Sequence, residues 1–473
     1  MLEKTDRQAG AQLRWSVYAL LIAAATGQMA GRNLAVNSVN VIALDERRDG
    51  VDLQRPFLSS NDRSRWMAVR ALVEQGRWEI DDILDEPNWD SIDKVYHRGR
   101  DGQMHFYSSK PPLLVAMIAA EYWAIHKLTG WSLGDEPYAV GRLMLLTINV
   151  LPVALMLALV AATLERLIAD DWAKLLAVAA GCFGTFITTF AVVLNNHLPA
   201  AVCAAGVLYV WVRLRQRPDR PAWLFIVGGL AAAFAAVNEL PALSLVGLAS
   251  LGFLWLDWRR TLLWFVPGTL AVAAAFFATN VWAHDSLRPP YAHRSETDPE
   301  DNWYIWSVER NGRTLTSYWS DRQGIDKGEE SKGVYALHCL VGHHGVFSLT
   351  PVWLLSLLGG VRWLRRGDAS RREVAAAVLL LSGVCLVFYT GLRPLEDRNY
   401  GGMTSGLRWM FWFTPMWLVL LAAGAEGAGR LGRAVGLVLL AFSCLSASYP
   451  TWNPWTHPWI VNWMEWCGWR LFQ

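Results

Sequence analysis

The sequence has no CxxC pair, no internal repeat and no low-complexity tract. Its six cysteines (Cys182, Cys203, Cys339, Cys385, Cys444 and Cys467) are scattered. That spacing excludes a zinc ribbon and a thioredoxin-type motif. Four of them fall in apolar segments and read as packing residues, whereas Cys339 and Cys467 fall on one expected side and could pair. Net charge is also scarce, at +2 over 473 residues. No cleavable leader is evident, because the first apolar segment is long and lacks a small-residue cleavage site. Polar faces are missing as well: segments such as 222–237 and 373–391 are apolar all round, which excludes an ordinary soluble helical protein.

Long apolar runs are abundant instead, recurring from residue 15 to residue 449 with the charges between them. A bilayer core about 30 Å thick takes roughly 20 helical residues to cross, and many of the runs meet that length. Several of the 27 tryptophans stand at segment ends, among them Trp211, Trp255, Trp258, Trp282 and Trp363, as in an interfacial aromatic belt. The expected fold is therefore an all-α polytopic membrane protein.

Lysine and arginine in short loops set the orientation. Four basic loops (213–220, 258–260, 362–372 and 430–433) and the N-terminal tail 1–14 are expected on the cytoplasmic side. Counting crossings between them gives spans at 15–35, 142–164, 172–193, 197–213, 222–238, 242–257, 261–282, 346–362, 373–391, 407–424 and 434–449, eleven in all. No parity remains for segment 112–129, which carries Glu121, His126 and Lys127 and is expected to lie along the outer interface. The outer loops 37–111 and 284–345 are long, and loops of that length in a compact membrane protein are usually functional. The tail 450–473 is expected outside.

Parity gathers an unusual polar set on the outer face: Asp62, Lys110, Asn195, Asn196, His197, Glu239, His343, His344, Asp397, Arg398 and Arg408. Each has a structural alternative. Asp62 suits the first turn of a helix that Ser59 would cap, and Lys110 could be an interfacial anchor. Glu239 is harder to explain structurally, since ionisable groups within apolar sequence are costly and usually functional. His343 and His344, expected to open a helix, would diverge by about 100° on it, so a shared metal is disfavoured. As a set, the groups suit an acidic phosphate beside a reacting centre. A carboxylate can take a proton from an acceptor hydroxyl, and Lys and Arg can stabilise a departing phosphate. A lipid-phosphate-linked sugar would keep its tail in the bilayer and its head at this surface.

Two stretches carry a resemblance. Asn61-Asp62-Arg63-Ser64-Arg65-Trp66 followed by Gly76-Arg77-Trp78, and Tyr107-Ser108-Ser109-Lys110-Pro111-Pro112-Leu113-Leu114, resemble in order and spacing the first outer loop of C-type membrane glycosyltransferases. Lipid A aminoarabinose transferases and relatives of protein O-mannosyltransferases share these features. More loosely, Asn399-Tyr400-Gly401-Gly402 to Gly406-Leu407-Arg408-Trp409 resembles a Gly-rich segment before an Arg in bacterial mannosyltransferase-like proteins. The resemblance covers roughly residues 15–424 and implies that Asp62 is the catalytic base, while Lys110 and Arg408 hold the donor phosphate. Where a second acidic residue often stands, this chain has His197, in His197-Leu198-Pro199.

The expected function is transfer of a sugar from a polyprenyl-phosphate donor to an acceptor hydroxyl, with inversion, on the periplasmic side of a bacterial inner membrane. Asn196, His197 and Glu239 would position substrate. No cofactor is assigned with certainty; a divalent metal is a candidate, with His197, Glu239 and His343 as its weak ligand candidates. Membrane lipids are expected partners and nucleic acid is not. Two rival classes remain: a transporter or flippase, which calls for midplane charges and related halves, and a noncatalytic membrane assembly protein.

Overall fold

A computed structural model describes residues 2–35 and 57–472. The chain is a helical bundle with two small hairpins. Helices of eight residues or more are α1 (Leu2–Ala35), α2 (Ser60–Arg70), α3 (Pro112–Thr129), α4 (Pro137–Leu167), α5 (Asp171–Val192), α6 (His197–Gln216), α7 (Ala222–Asn238), α8 (Leu243–Arg260), α9 (Val266–His284), α10 (Lys332–Leu340), α11 (Trp353–Arg366), α12 (Ala369–Val387), α13 (Thr414–Ala425), α14 (Arg430–Ser448) and α15 (Trp459–Trp466). Strands β1 (Lys94–Arg98) and β2 (Met104–Ser108) pair antiparallel with Val95 opposite Tyr107, and β3 (Ser307–Arg310) pairs with β4 (Arg313–Thr316).

By length and composition, six helical segments among the described residues are apolar enough to cross a membrane, and α7 is a shorter apolar helix. One of the six runs from Leu240 to His284, 45 residues, but it is not one rod. Asp257 has extended backbone (φ −161°, ψ 92°) inside it. Phe253 and Phe265 consequently meet in a tilted contact with ring centroids 4.9 Å apart, whereas twelve residues of straight helix would separate them by about 18 Å. The sequence places two spans and a basic loop here; the loop is a kink at Asp257 followed by a π turn at Thr261–Phe265.

The bundle interior is close-packed leucine, alanine, valine and phenylalanine. At the crossing of α11 and α13, a Cβ on Gly359 would lie 1.8 Å from the Leu420 carbonyl oxygen, and one on Gly424 would lie 2.1 Å from that of Leu355. Only glycine permits that approach, as is common between membrane helices. The outward faces carry exposed Leu251, Trp255, Leu263 and Leu270, which suits a hydrocarbon surround.

The long loops form a second layer with its own core, including Trp66, Trp78, Phe106, Tyr107, Tyr122 and Trp303. α2 starts where the sequence indicates, because Ser59 is extended and its Oγ accepts from the Asp62 N–H. Trp66 and Val69 are buried on its inner face, while Val73 falls in the π turn that ends it. Segment 112–129 is the helix α3, packed against α2 and α9.

One expectation is corrected and one open pairing is answered. His343 and His344 lie in a turn before the short helix Val346–Leu349, not on a helix. Gly342 and Gly345 flank them, and the turn brings their Nδ1 atoms to 2.5 Å. Cys339 is buried and Cys467 exposed, and both are free thiols.

The basic segments read as cytoplasmic meet at one end of the bundle. Arg14 bonds Glu165, Arg215 bonds Glu373, Arg371 donates to the Leu167 carbonyl, and Arg362 donates to that of Glu426. The polar groups read as outer collect at another place, around one cavity.

Candidate active site

A cavity of about 490 Å³ opens where the hairpin layer meets the ends of α6, α7, α12 and the Gly-rich segment before α13. Lys110, Asn196, His197, Glu239 and Arg408 all line it. The local chain explains how each arrives.

β2 ends at Ser108, and Pro111 is extended before Pro112 opens α3. Proline suits the first helical position, where no N–H bond is lost. Lys110 is therefore held between a strand and a helix. Its Nζ meets Asp93 Oδ1 at 3.0 Å, with both side chains largely buried. Burial lowers the Lys110 ammonium to about 8, against the pull of Asp93. Burial also works to raise the Asp93 carboxyl, but the charge and hydrogen bond of Lys110, with Arg408 and Arg65, hold it below its usual range.

α6 begins after Asn195, whose Oδ1 accepts from the backbone N–H groups of His197 and Leu198, 3.0 Å each. This capping puts His197 in the first turn, facing the cavity. Glu239 ends α7 in extended conformation (φ −130°, ψ 103°). Its Oε1 accepts from Asn196 Nδ2 at 2.7 Å and meets His197 Nδ1 in a short contact. On the other side of the ring, His197 Nε2 lies 3.1 Å from Arg408 Nη1. Arg408 Nε donates to the Gly401 carbonyl at 2.9 Å, and its guanidinium lies 5.0 Å from the Trp455 ring centroid. Tyr400, Gly401 and Gly402 have φ of 57°, 96° and 75°. That left-handed turn, natural for glycine, presents the carbonyl to Arg408.

Asp62 is placed differently. It is fully buried, and Oδ1 accepts from the Leu194 N–H at 2.9 Å while Oδ2 accepts from that of Leu58 at 3.4 Å. Its carboxylate borders a separate small cavity of about 30 Å³ with Tyr138 and Arg142, whereas its neighbour Asn61 lines the large one. Burial pushes the Asp62 carboxyl up to about 7, in spite of the two amides that favour its anion.

His343 is not part of the site. It stacks on His338, with centroids 3.9 Å apart, and touches His344 and Tyr400. The three weak metal candidates are thus split. His197 and Glu239 are bonded to each other, and a guanidinium occupies the other ring nitrogen of His197. A cation bound at the His197 ring would need a free lone pair, so His197 as held here does not fit a metal ligand. Among the described residues no group of three or more His, Cys, Asp or Glu is placed to hold one.

Several residues in or beside the site escape a reading of the sequence. Arg65 donates to Asn61 Oδ1 at 2.5 Å and to Asn196 Oδ1 at 2.7 Å. Helical spacing from Asn61 offers a signal for it. Asp93 has none, being one of several loop carboxylates. Arg294 and Arg393 share Asp397 at 3.5 and 3.4 Å and lie over Tyr304 and Trp409; only the folded loops bring them together.

No family model matches the chain, and no curated protein matches it. Solved structures do. The apo oligosaccharyltransferase of Archaeoglobus fulgidus is 10% identical, with a TM-score of 0.47 over 94% of this chain and 56% of that one. ArnT from Cupriavidus metallidurans, solved with undecaprenyl phosphate, is 13% identical, with a TM-score of 0.49 over 89% of this chain and 62% of that one. AglB from Archaeoglobus fulgidus, solved with an inhibitory peptide and a dolichol-phosphate, is 9% identical, with a TM-score of 0.47 over 93% and 56%. The chain therefore spans less than two thirds of each of these proteins.

Proposed function

We propose that the chain is an inverting membrane glycosyltransferase that moves a sugar from a polyprenyl-phosphate donor to an acceptor hydroxyl. The observation that carries the reading is the cavity, where Lys110, Arg65 and Arg408 converge at the ends of apolar helices. A phosphate on a lipid tail suits such a place: its charge meets buried N–H donors while its tail stays among apolar helices.

In this reading the acceptor oxygen attacks the anomeric carbon. The carbon–oxygen bond to phosphate breaks, polyprenyl phosphate leaves with the electron pair, and the acceptor proton goes to a carboxylate. Lys110 and Arg408 take up the charge that grows on the leaving phosphate. Asp62 is the base. A carboxyl near 7 is matched to proton transfer at neutral pH. Since its oxygens rest on the Leu58 and Leu194 amides, the reading includes a turn of the Asp62 side chain toward the acceptor. Such bonds often form only in the substrate complex.

The eleven-crossing topology belongs to the same proposal, with α1, α4 to α9, α11 to α14 crossing and α3 at the interface. The basic end then faces the cytoplasm and the cavity faces the periplasm of a bacterial inner membrane.

The test is binding to the purified protein in detergent. Undecaprenyl phosphate should bind and undecaprenol, which lacks the phosphate, should bind far more weakly. Equal binding of the two would remove the donor assignment.

A further inference from the structure

We propose that His197 is a neutral link that fastens Arg408 to Glu239, and that it acts on the donor phosphate only through Arg408. This deepens the reading above and rests on it for the ligand.

Hydrogen-bond chemistry carries the argument. A guanidinium has donors and no acceptor. The Arg408 Nη1 contact at 3.1 Å therefore needs His197 Nε2 to be the acceptor, without a hydrogen. A neutral imidazole then carries its one hydrogen on Nδ1, and Nδ1 is the atom against Glu239 Oε1. The same Glu239 oxygen also accepts from Asn196 Nδ2 at 2.7 Å. The row reads carboxylate, neutral imidazole, guanidinium, with every hydrogen assigned. Partners on both ring nitrogens fix tautomer and orientation, as second partners do for metal-bound histidines.

Two consequences follow. His197 has no lone pair left for a metal, and protonating Nε2 would set N–H against N–H. It is therefore a positioning residue. Arg408 is held on two edges, by His197 at Nη1 and by the Gly401 carbonyl at Nε. Bonds to described residues leave its Nη2 group for a ligand in the cavity. Where the related families often place an acid, this chain has a neutral ring that spends the charge of Glu239 on aiming Arg408.

The test compares two variants by binding of undecaprenyl phosphate. His197→Gln keeps one donor and one acceptor and should bind within a few-fold of the parent, roughly threefold, as when a hydrogen bond is exchanged rather than lost. His197→Leu keeps neither and should bind about tenfold or more weakly, the loss expected when a bond to a charged group goes. Dialysis against a chelator should change neither. A folded Leu variant that binds like the parent would overturn the link, as would binding that vanishes on chelation. If the Leu variant does not fold, leucine at both 197 and 239 replaces it, since an apolar pair can substitute for a buried polar one; it should also bind weakly. A ligand-free readout separates this inference from the functional one. In the 15N spectrum of histidine-labelled protein, the signal missing from His197→Gln should show a protonated Nδ1 and a bare Nε2 from pH 5.5 to 8.5. A protonated Nε2 would refute the link even if undecaprenyl phosphate binds. Failure of the parent to prefer undecaprenyl phosphate over undecaprenol, with the tautomer as stated, would sink the donor and leave the link standing.

Discussion

The two polar ends of the bundle differ in how completely their charges are paired. At the basic end, each arginine that ties helices together meets a carboxylate or a helix-end carbonyl. Arg14 grips both oxygens of Glu165 at 2.9 Å, and Arg215 grips both of Glu373 at 2.8 Å. These are paired forks, geometrically specific and electrically closed. At the cavity end pairing is partial: Lys110 meets Asp93 and Arg294 and Arg393 share Asp397, but Arg65 rests on two neutral amides, and Arg408 on a neutral ring and a backbone carbonyl. Among the described residues neither has a carboxylate within ion-pair distance. Buried charge without a close counter-ion is costly, and its persistence here supports the proposed anionic donor. One end holds helices together; the other holds charge in reserve.

The largest expected effect is at Asp62. Asp62→Asn keeps its size and removes the proton acceptor, so sugar transfer should fall by about 100- to 10,000-fold, the usual contribution of a general base, while undecaprenyl phosphate binding stays. Near-normal turnover would end the base assignment and move the search to Glu239. The pH profile sharpens the same point. Asp62 must be ionised, so activity should rise through about 7, and Lys110 must be charged, so it should fall through about 8. A profile without a limb near 7 in the parent protein would also remove Asp62.

Lys110 comes next. Lys110→Ala should weaken undecaprenyl phosphate binding by about 10- to 150-fold, the range for losing a hydrogen bond to a charged group. Parent affinity should fall as pH rises through about 8, where the ammonium loses its proton. In Lys110→Arg that fall should disappear, because a guanidinium stays charged. An unchanged affinity in the Ala variant would make Lys110 only an anchor. Asp93→Asn should bring the limb to lower pH, since Asp93 is the charge that holds the proton on Lys110.

The smallest effect belongs to the basic end. The Arg215 and Glu373 side chains are 21% and 26% exposed. Arg215→Met should therefore cost only about 1 kcal/mol or less of stability, read as a small drop in melting temperature, with undecaprenyl phosphate binding unchanged. A large loss of binding there would break the contrast between the two ends.

Much was legible from composition and local pattern. Apolar run length predicts the helices, because a membrane leaves few alternatives for an apolar backbone. The Ser59 cap of α2 follows from a rule of helix starts, and the Lys-Pro-Pro stretch from the geometry of proline. The placement of Lys110, His197, Glu239 and Arg408 on one side follows from counting basic loops. His343 and His344 were misplaced because Gly342 and Gly345 turn the chain before the helix begins.

Local pattern has less purchase on what meets what. Asp93 reaches Lys110 through hairpin register, and Arg294 and Arg393 share Asp397 only after two distant segments fold together. The rotamer of Asp62 depends on the Leu194 amide, 132 residues away. The sequence by itself determined the membrane class, the Ser59-capped start of α2 and the polar residue types that gather at the cavity, since these follow from spacing and from the cost of polar groups in hydrocarbon. Tertiary structure alone decided that His197 stands between Glu239 and Arg408, that Arg65 meets no carboxylate within ion-pair distance among the described residues, and that Asp62 lies behind the cavity wall. Those outcomes depend on directions of side chains from separate helices, and no short stretch of sequence encodes a direction shared by three of them.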